Sequence, residues 1–176
     1  ELAATPILRD DARRPRWPAG FVGAITHHRG QAAAAVARAA HYLGVGVDLE
    51  ALRPLSPALL RRILRPEERA ACEALASPAQ AEAFLQVFSA KESLFKALYP
   101  HTGVYLGFQE ASVALPEAPA AGPAGASAGL AAGISAGAPG AAPSGGVVPL
   151  RRTALRWRVL RACGPDVPAG FSGEGA

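Results

Sequence analysis

The 176-residue chain has two cysteines, no methionine and only 6% aromatic side chains. Cys72 and Cys163 stand far apart, with no CxxC or Cys/His spacing around them. That argues against a zinc site and for a reducing compartment, with the cytoplasm as the default. Long apolar runs are missing too: the alanine-rich stretch 31–40 is interrupted by Arg38. It is too short to span a bilayer, and no charged-then-apolar segment opens the chain, so neither a membrane span nor a secretory signal is expected. Without a methionine the chain begins at Glu1 with no initiator, so we expect a fragment or processed piece of a longer protein. An acidic excess is also lacking. The formal charge is +4 and the pI about 9.6, a balance that suits an anionic partner such as a nucleotide, a nucleic acid or an acidic protein without choosing among them.

What is present reads as globular: 50% hydrophobic and 18% charged, enough for one domain or two small halves sharing a core. RRPRWPAG is an ordered loop, because two prolines bracket a large aromatic that needs a packing partner. FVGAI is a short strand, HHRG a turn, QAAAAVARA a second strand or a short helix, and GVGVDLE a third strand. Ser56-Pro57 and Pro66 mark helix starts over ALLRRIL and EERAACEAL. Ser77-Pro78-Ala79-Gln80 gives an N-cap, a first-position proline and a capping-box glutamine, which predicts a helix over about 78–99, ended by Pro100. VYLGFQEASVAL and TALRWRVLRA read as strands, and the ending GPDVPAGFSGEGA carries no element that could finish a sheet. Residues 1–115 form the core, 116–149 an Ala/Gly/Pro-rich insertion or linker with Glu117 as its sole charge, and 150–176 a returning strand with a truncated end.

The stretch FSAKESLFKALYP carries charges in an apolar run. At about 100 degrees per residue, Glu92 neighbours Leu85, Phe88 and Tyr99, at the edge of the buried face. Glu92 with Lys96 is the favoured i, i+4 ion pair of an exposed helix. A carboxylate among large apolar groups should instead acquire a cation or a raised pKa, as happens at functional sites. In GVGVDLE, alternation sets Gly46, Asp48 and Glu50 on one face. That is either a solvated strand face or a pair of hard oxygen ligands for Mg²⁺, with Gly46 leaving room for a ligand to approach the backbone. In AITHHRG, Thr26 and His27 end a strand. The histidine is structural or exposed when taken alone, and beside a metal and an anion it is a phosphate contact, as are Arg9, Arg14 and Arg16.

Taken in order and spacing, RRPRWPAGFVGAITH, GVGVDLE and FSAKESLFKALYP resemble the 4'-phosphopantetheinyl transferases of the larger, monomeric type, and in particular the enterobactin-synthase-like branch of siderophore biosynthesis. The resemblance covers about residues 6–115; each motif alone is weak, and the three together are specific. It implies an α+β fold of two similar subdomains, each a small antiparallel sheet packed on a helix, with the site in the cleft between them. It further implies transfer of phosphopantetheine from coenzyme A to a serine of an apo acyl or peptidyl carrier protein, releasing adenosine 3',5'-bisphosphate. By the same resemblance Asp48, Glu50 and Glu92 bind Mg²⁺, and Glu92 takes the serine proton directly or through a water. Lys96 steadies the departing phosphate and, with Asp48, Thr26, His27 and Arg9, contacts coenzyme A. Tyr105 lies near the pantetheine arm, and Lys91 is a weaker candidate whose role stays undecided. Ala24 and His28 depart from the family pattern. The resemblance also implies that this chain lacks an upstream arginine-bearing segment and a last strand, and that it acts as a monomer.

Two rivals stand beside this reading. One is a degenerate relative that binds coenzyme A or a carrier without turnover. The other is a nucleic-acid-binding module on LLRRILRPEER, which the alternating glutamates and the lack of interleaved aromatics disfavour. Arg61, Arg62 and Arg65 are either a docking patch for an acidic carrier or an ordinary solvated helix face.

Overall fold

The computed structural model describes residues 6–51, 54–115, 133–134 and 155–175. Strand β1 (Phe21–His28) pairs antiparallel with β2 (Gln31–Arg38), in register from Phe21 opposite Arg38 to His28 opposite Gln31. The second segment is therefore a strand. The two histidines extend β1 rather than turning, and Arg29 and Gly30, both at positive φ (46° and 81°), make the two-residue turn that matches strand twist. Alternation turns Ala24 and Thr26 inward and leaves Ile25 and His27 outward. Trp17 finds its packing place on this hairpin: a Cβ at Gly23 would lie 2.7 Å from the indole ring.

Strand β3 (Gly44–Val45) is shorter than GVGVDLE predicts; residues 46–50 are irregular, with Val47 fully buried and Asp48 buried beside it. Helices α1 (Pro57–Ile63), α2 (Pro66–Glu73) and α3 (Ser77–Thr102) follow. Ser56 caps α1 by accepting from the Leu59 N–H, and Pro57 and Pro66 stand at the starts foreseen for them. Ser77 does not cap α3. It is already helical, Ala76 holds the cap position, and no side chain bonds there. Pro100 does not end the helix either. It lies inside the final turn, where it removes one donor only, and the chain leaves the helix at Gly103, whose φ of 66° suits the left-handed closing residue.

Helix α3 is the axis of the molecule. Phe84, Val87, Leu94 and Leu98 are fully buried and join Val113, Val159 and Val167 in one core. Strand β3 crosses the helix at close range, because a Cβ on Gly44 or Gly46 would run into the carbonyl of Ala97 or Ser93. Residues two apart on a strand span ~6.7 Å and residues four apart on a helix ~6 Å, so two alternate glycines step along two successive turns. Gly46 thus admits the helix backbone, and the expectation that it leaves room for a ligand is overturned.

Strand β4 (Ala111–Ala114) is shorter than VYLGFQEASVAL predicts. Residues 103–107 are irregular and Phe108–Glu110 form a 3₁₀ turn, since Gly107 and Glu110 close that turn through the Gly107 N–H to Glu110 bond of 2.8 Å. Within the span read as an insertion, β5 (Gly133–Ile134) pairs with Gly44–Val45 of β3. These two residues therefore meet the GVGVDLE motif; the rest of the 116–149 expectation lies outside the described residues. Strands β6 (Leu155–Val159) and β7 (Ser172–Gly175) complete a sheet of order β4-β6-β7, antiparallel throughout. The ending does supply a last strand, against expectation, because Val159 exchanges backbone bonds with Gly170 and Phe171 and so brings the tail alongside β6. The class is α+β, with small antiparallel sheets set around helices, as expected.

Candidate functional site

Hairpin, β3 and α3 meet at one polar cluster. Lys96 reaches across from α3 and places its Nζ 2.7 Å from Asp48 Oδ1, 3.2 Å from the Val47 carbonyl and 3.3 Å from Thr26 Oγ1. The Thr26 hydroxyl donates to Asp48 Oδ1 at 3.3 Å and accepts from the Leu49 N–H at 3.2 Å. Three motifs distant in sequence are thus joined through one hydroxyl, one carboxylate and one ammonium. Lys96 makes its ion pair with Asp48, not with Glu92, so the surface i, i+4 reading of this helix does not describe it.

Glu92 stands one helical turn before Lys96, half-buried. Burial first, and then the negative charge of Asp48, push its carboxyl above the ordinary glutamate range, with Glu50 adding to the shift and Lys96 opposing it. Glu92 also lines a pocket of about 140 Å³ between α3 and the 105–111 segment, together with Phe95, Tyr105, Leu106 and Phe108. Tyr105 is 67% exposed and tilts over Phe95 at 5.2 Å, while Phe95 stacks on Tyr99 at 5.0 Å. Above Tyr99 sits the Arg14 guanidinium, 5.9 Å from the ring centre, anchored by an ion pair to Asp10 at 2.7 Å.

Asp48, Glu50 and Glu92 offer hard carboxylate oxygens, the donor type that divalent cations take. Asp48 Oδ2 is buried and has no hydrogen-bond partner, and the carboxyl of Glu92 feels the charges of both Asp48 and Glu50. As they stand, no three Asp, Glu, His or Cys side chains among the described residues gather closely enough to coordinate an ion. Thr26, Asp48, Glu92 and Lys96 are brought together. Arg9 and His27 are exposed and outside the polar cluster, His27 because it occupies the opposite face of β1 from Thr26. His28 shares the inward face, and its Nε2 is buried with no hydrogen-bond partner.

Lys91, undecided from the sequence, is buried in an ion pair and lines the same pocket. Its side chain is 1% exposed and is paired at 2.6 Å with Glu68, itself 2% exposed. Burial pulls the Lys91 ammonium below its usual range despite that partner. Glu68 is the residue that sequence reasoning missed. The signal was local: Pro66 at the first helical position and a glutamate two residues on, whose carboxylate accepts from the Arg65 N–H at 2.7 Å. In the arginine patch, Arg61 and Arg62 are exposed, whereas Arg65 bonds Glu67 and the Gln109 carbonyl, both at 2.6 Å.

Residues 44–127 match a family model described as the 4'-phosphopantetheinyl transferase superfamily, and residues 1–37 match one for the 4'-phosphopantetheinyl transferase N-terminal domain. The chain is 43% identical over 115 residues to the 4'-phosphopantetheinyl transferase Svp of Streptomyces mobaraensis, covering 65% of this chain and 47% of the relative. It is 36% identical over 115 residues to Npt of Nocardia iowensis, covering 64% and 51%. It is 38% identical over 108 residues to PptT of Mycobacterium tuberculosis, covering 61% and 47%. Both of these relatives are also named 4'-phosphopantetheinyl transferases. The chain spans about half the length of the curated relatives it matches. Family models and relatives agree and support placing the chain in the 4'-phosphopantetheinyl transferase superfamily, with whose fold the α+β arrangement is consistent.

Proposed function

We propose that this chain carries the catalytic cleft of a holo-[carrier protein] synthase, which moves phosphopantetheine from coenzyme A to a serine hydroxyl of an apo acyl or peptidyl carrier protein. The observation that carries the reading is the convergence of Thr26, Asp48 and Lys96 one helical turn from Glu92, which itself lines a pocket. In the reaction the serine oxygen forms a bond to the phosphorus that bears pantetheine. The bond from that phosphorus to the bridging pyrophosphate oxygen breaks, and adenosine 3',5'-bisphosphate leaves. Glu92, with its raised proton affinity, receives the serine proton. Lys96 offers its ammonium to the leaving phosphate, whose oxygens would replace the two longer bonds to Val47 and Thr26. Asp48, Glu50 and Glu92 would hold Mg²⁺, which when bound neutralises charge on the pyrophosphate. The pocket beside Tyr105 and Phe95 takes the pantetheine arm, and Arg9 and His27 reach the outer phosphates.

A single chain supplies all of these groups, which fits a monomer, and Arg61 and Arg62 offer a basic surface to an acidic carrier. No helix among the described residues is long and apolar enough to cross a membrane; work in the cytoplasm, where carriers await modification, is part of the proposal. The W-P-A-G sequence favours the enterobactin-synthase-like branch. The test is incubation of this chain with coenzyme A, Mg²⁺ and an apo carrier domain, followed by mass spectrometry of the carrier. A phosphopantetheine adduct that disappears in Glu92→Gln is expected. Coenzyme A binding without any adduct would favour a relative that binds without turnover.

A further inference from the structure

The pocket wall facing α3 has no regular structure between Tyr105 and Gly107, so side chains must hold it in place. Lys91 Nζ donates to the Phe108 carbonyl at 2.8 Å, to the Ile63 carbonyl at 2.9 Å and to Glu68 Oε2 at 2.6 Å, which uses all three ammonium protons. Glu68 in turn accepts from the Arg65 N–H at 2.7 Å and, through its other oxygen, from the Val113 N–H at 2.8 Å. Gln109, next to Phe108, fastens the same wall to the end of α1 by donating to the Arg62 and Leu64 carbonyls at 3.1 and 3.2 Å. A buried ion pair is a weak source of stability, since apolar groups of similar volume often do as well. What apolar groups cannot do is bond a carbonyl in a pocket wall and so fix its distance from the helix.

We infer that Lys91 and Glu68 are positioning residues that set the width of the channel between α3 and the Tyr105–Phe108 wall, and with it the fit of the thiol-bearing arm of coenzyme A beside Glu92. The inference rests on the transferase reading above. It makes Lys91, the immediate neighbour of Glu92, a spacer with no substrate contact through its charge.

The test separates arm from nucleotide. Adenosine 3',5'-bisphosphate shares the nucleotide of coenzyme A and lacks the arm. The double variant Glu68→Gln/Lys91→Met keeps the volume and leaves no unpaired charge. In it, KM for coenzyme A should rise about tenfold or more while kcat changes by less than about threefold. Binding of the bisphosphate, measured by calorimetry, should stay within about twofold of wild type. Gln109→Ala, at an exposed position outside the core, should show the same selective loss to a smaller degree and keeps the question open to measurement if the double variant does not fold. Equal weakening of coenzyme A and bisphosphate, or an unchanged ratio in both variants, overturns the inference while leaving the transferase reading standing. A wild-type chain that binds coenzyme A no better than the bisphosphate and forms no carrier adduct overturns both.

Discussion

Glu92 is placed at a cost to the fold that its proposed role as a base would explain. Its carboxyl is half-buried and feels the negative charges of Asp48 and Glu50, so the folded chain favours its neutral form more than the unfolded chain does. A folded-state pKa above the unfolded one contributes stability that is fully present below the ordinary value of 4.5 and is lost as pH rises through the folded value. Glu92→Gln keeps the shape without the charge. In metal-free buffer it should therefore raise Tm at neutral pH and lose that advantage below pH 4.5, while abolishing transfer. A thermal-melt series against pH checks the first part and the carrier assay the second; a neutral-pH Tm below wild type would contradict the burial argument. Lys96 pulls in the opposite direction on the same carboxyl. Lys96→Met should shift the acid limb of the kcat/KM profile to higher pH, and it should lower the plateau by about 10²–10³, the effect of losing one donor aimed at developing charge. An acid limb that stays in place would mean that Glu92 is not the group that titrates.

Among the elements, the contact of β3 with α3 decides whether the cluster forms. Gly46 lets the strand lie against the Ser93 carbonyl, and Asp48 two residues on then meets Lys96. Gly46→Ala must push strand and helix apart, and because the obstacle is backbone the cost should reach or exceed the ~1–3 kcal/mol typical of an overpacked core. The expected signature in urea unfolding is a lower midpoint at unchanged slope, together with weakened transfer. A midpoint equal to wild type would show that the close approach does not matter. The same contact shows what was legible beforehand. Helical period placed Glu92 at the edge of the buried face, and strand alternation put Asp48 and Glu50 on one side; both depend on local geometry alone. The purpose of Gly46, the burial of Lys91 by Glu68 and the pairing of Gly133–Ile134 with β3 depend on partners 47, 23 and 88 to 90 residues away in the chain, and no local pattern encodes them. Strand β7 was missed for a related reason: SGEG has little strand propensity and becomes a strand by lying along β6.

For the whole molecule, the hairpin, β3 and α3 each bring one motif, and none of the three is a site alone. Thr26 contributes a hydroxyl, Asp48 a carboxylate with one buried unbonded oxygen, and α3 both the ammonium and the raised carboxyl. The motifs that resembled a family in sequence meet at this one cluster, where Lys96 of α3 bonds both Thr26 and Asp48. Calorimetric titration of this chain with coenzyme A, in Mg²⁺ and again after chelation, addresses that shared cluster directly. Binding should weaken at least about tenfold, or ~1.4 kcal/mol, on removal of the metal, and by a comparable factor in Asp48→Asn with the metal present. Equal affinity for coenzyme A with and without Mg²⁺, unchanged in Asp48→Asn, would contradict the assignment of these residues to a metal-assisted pyrophosphate site.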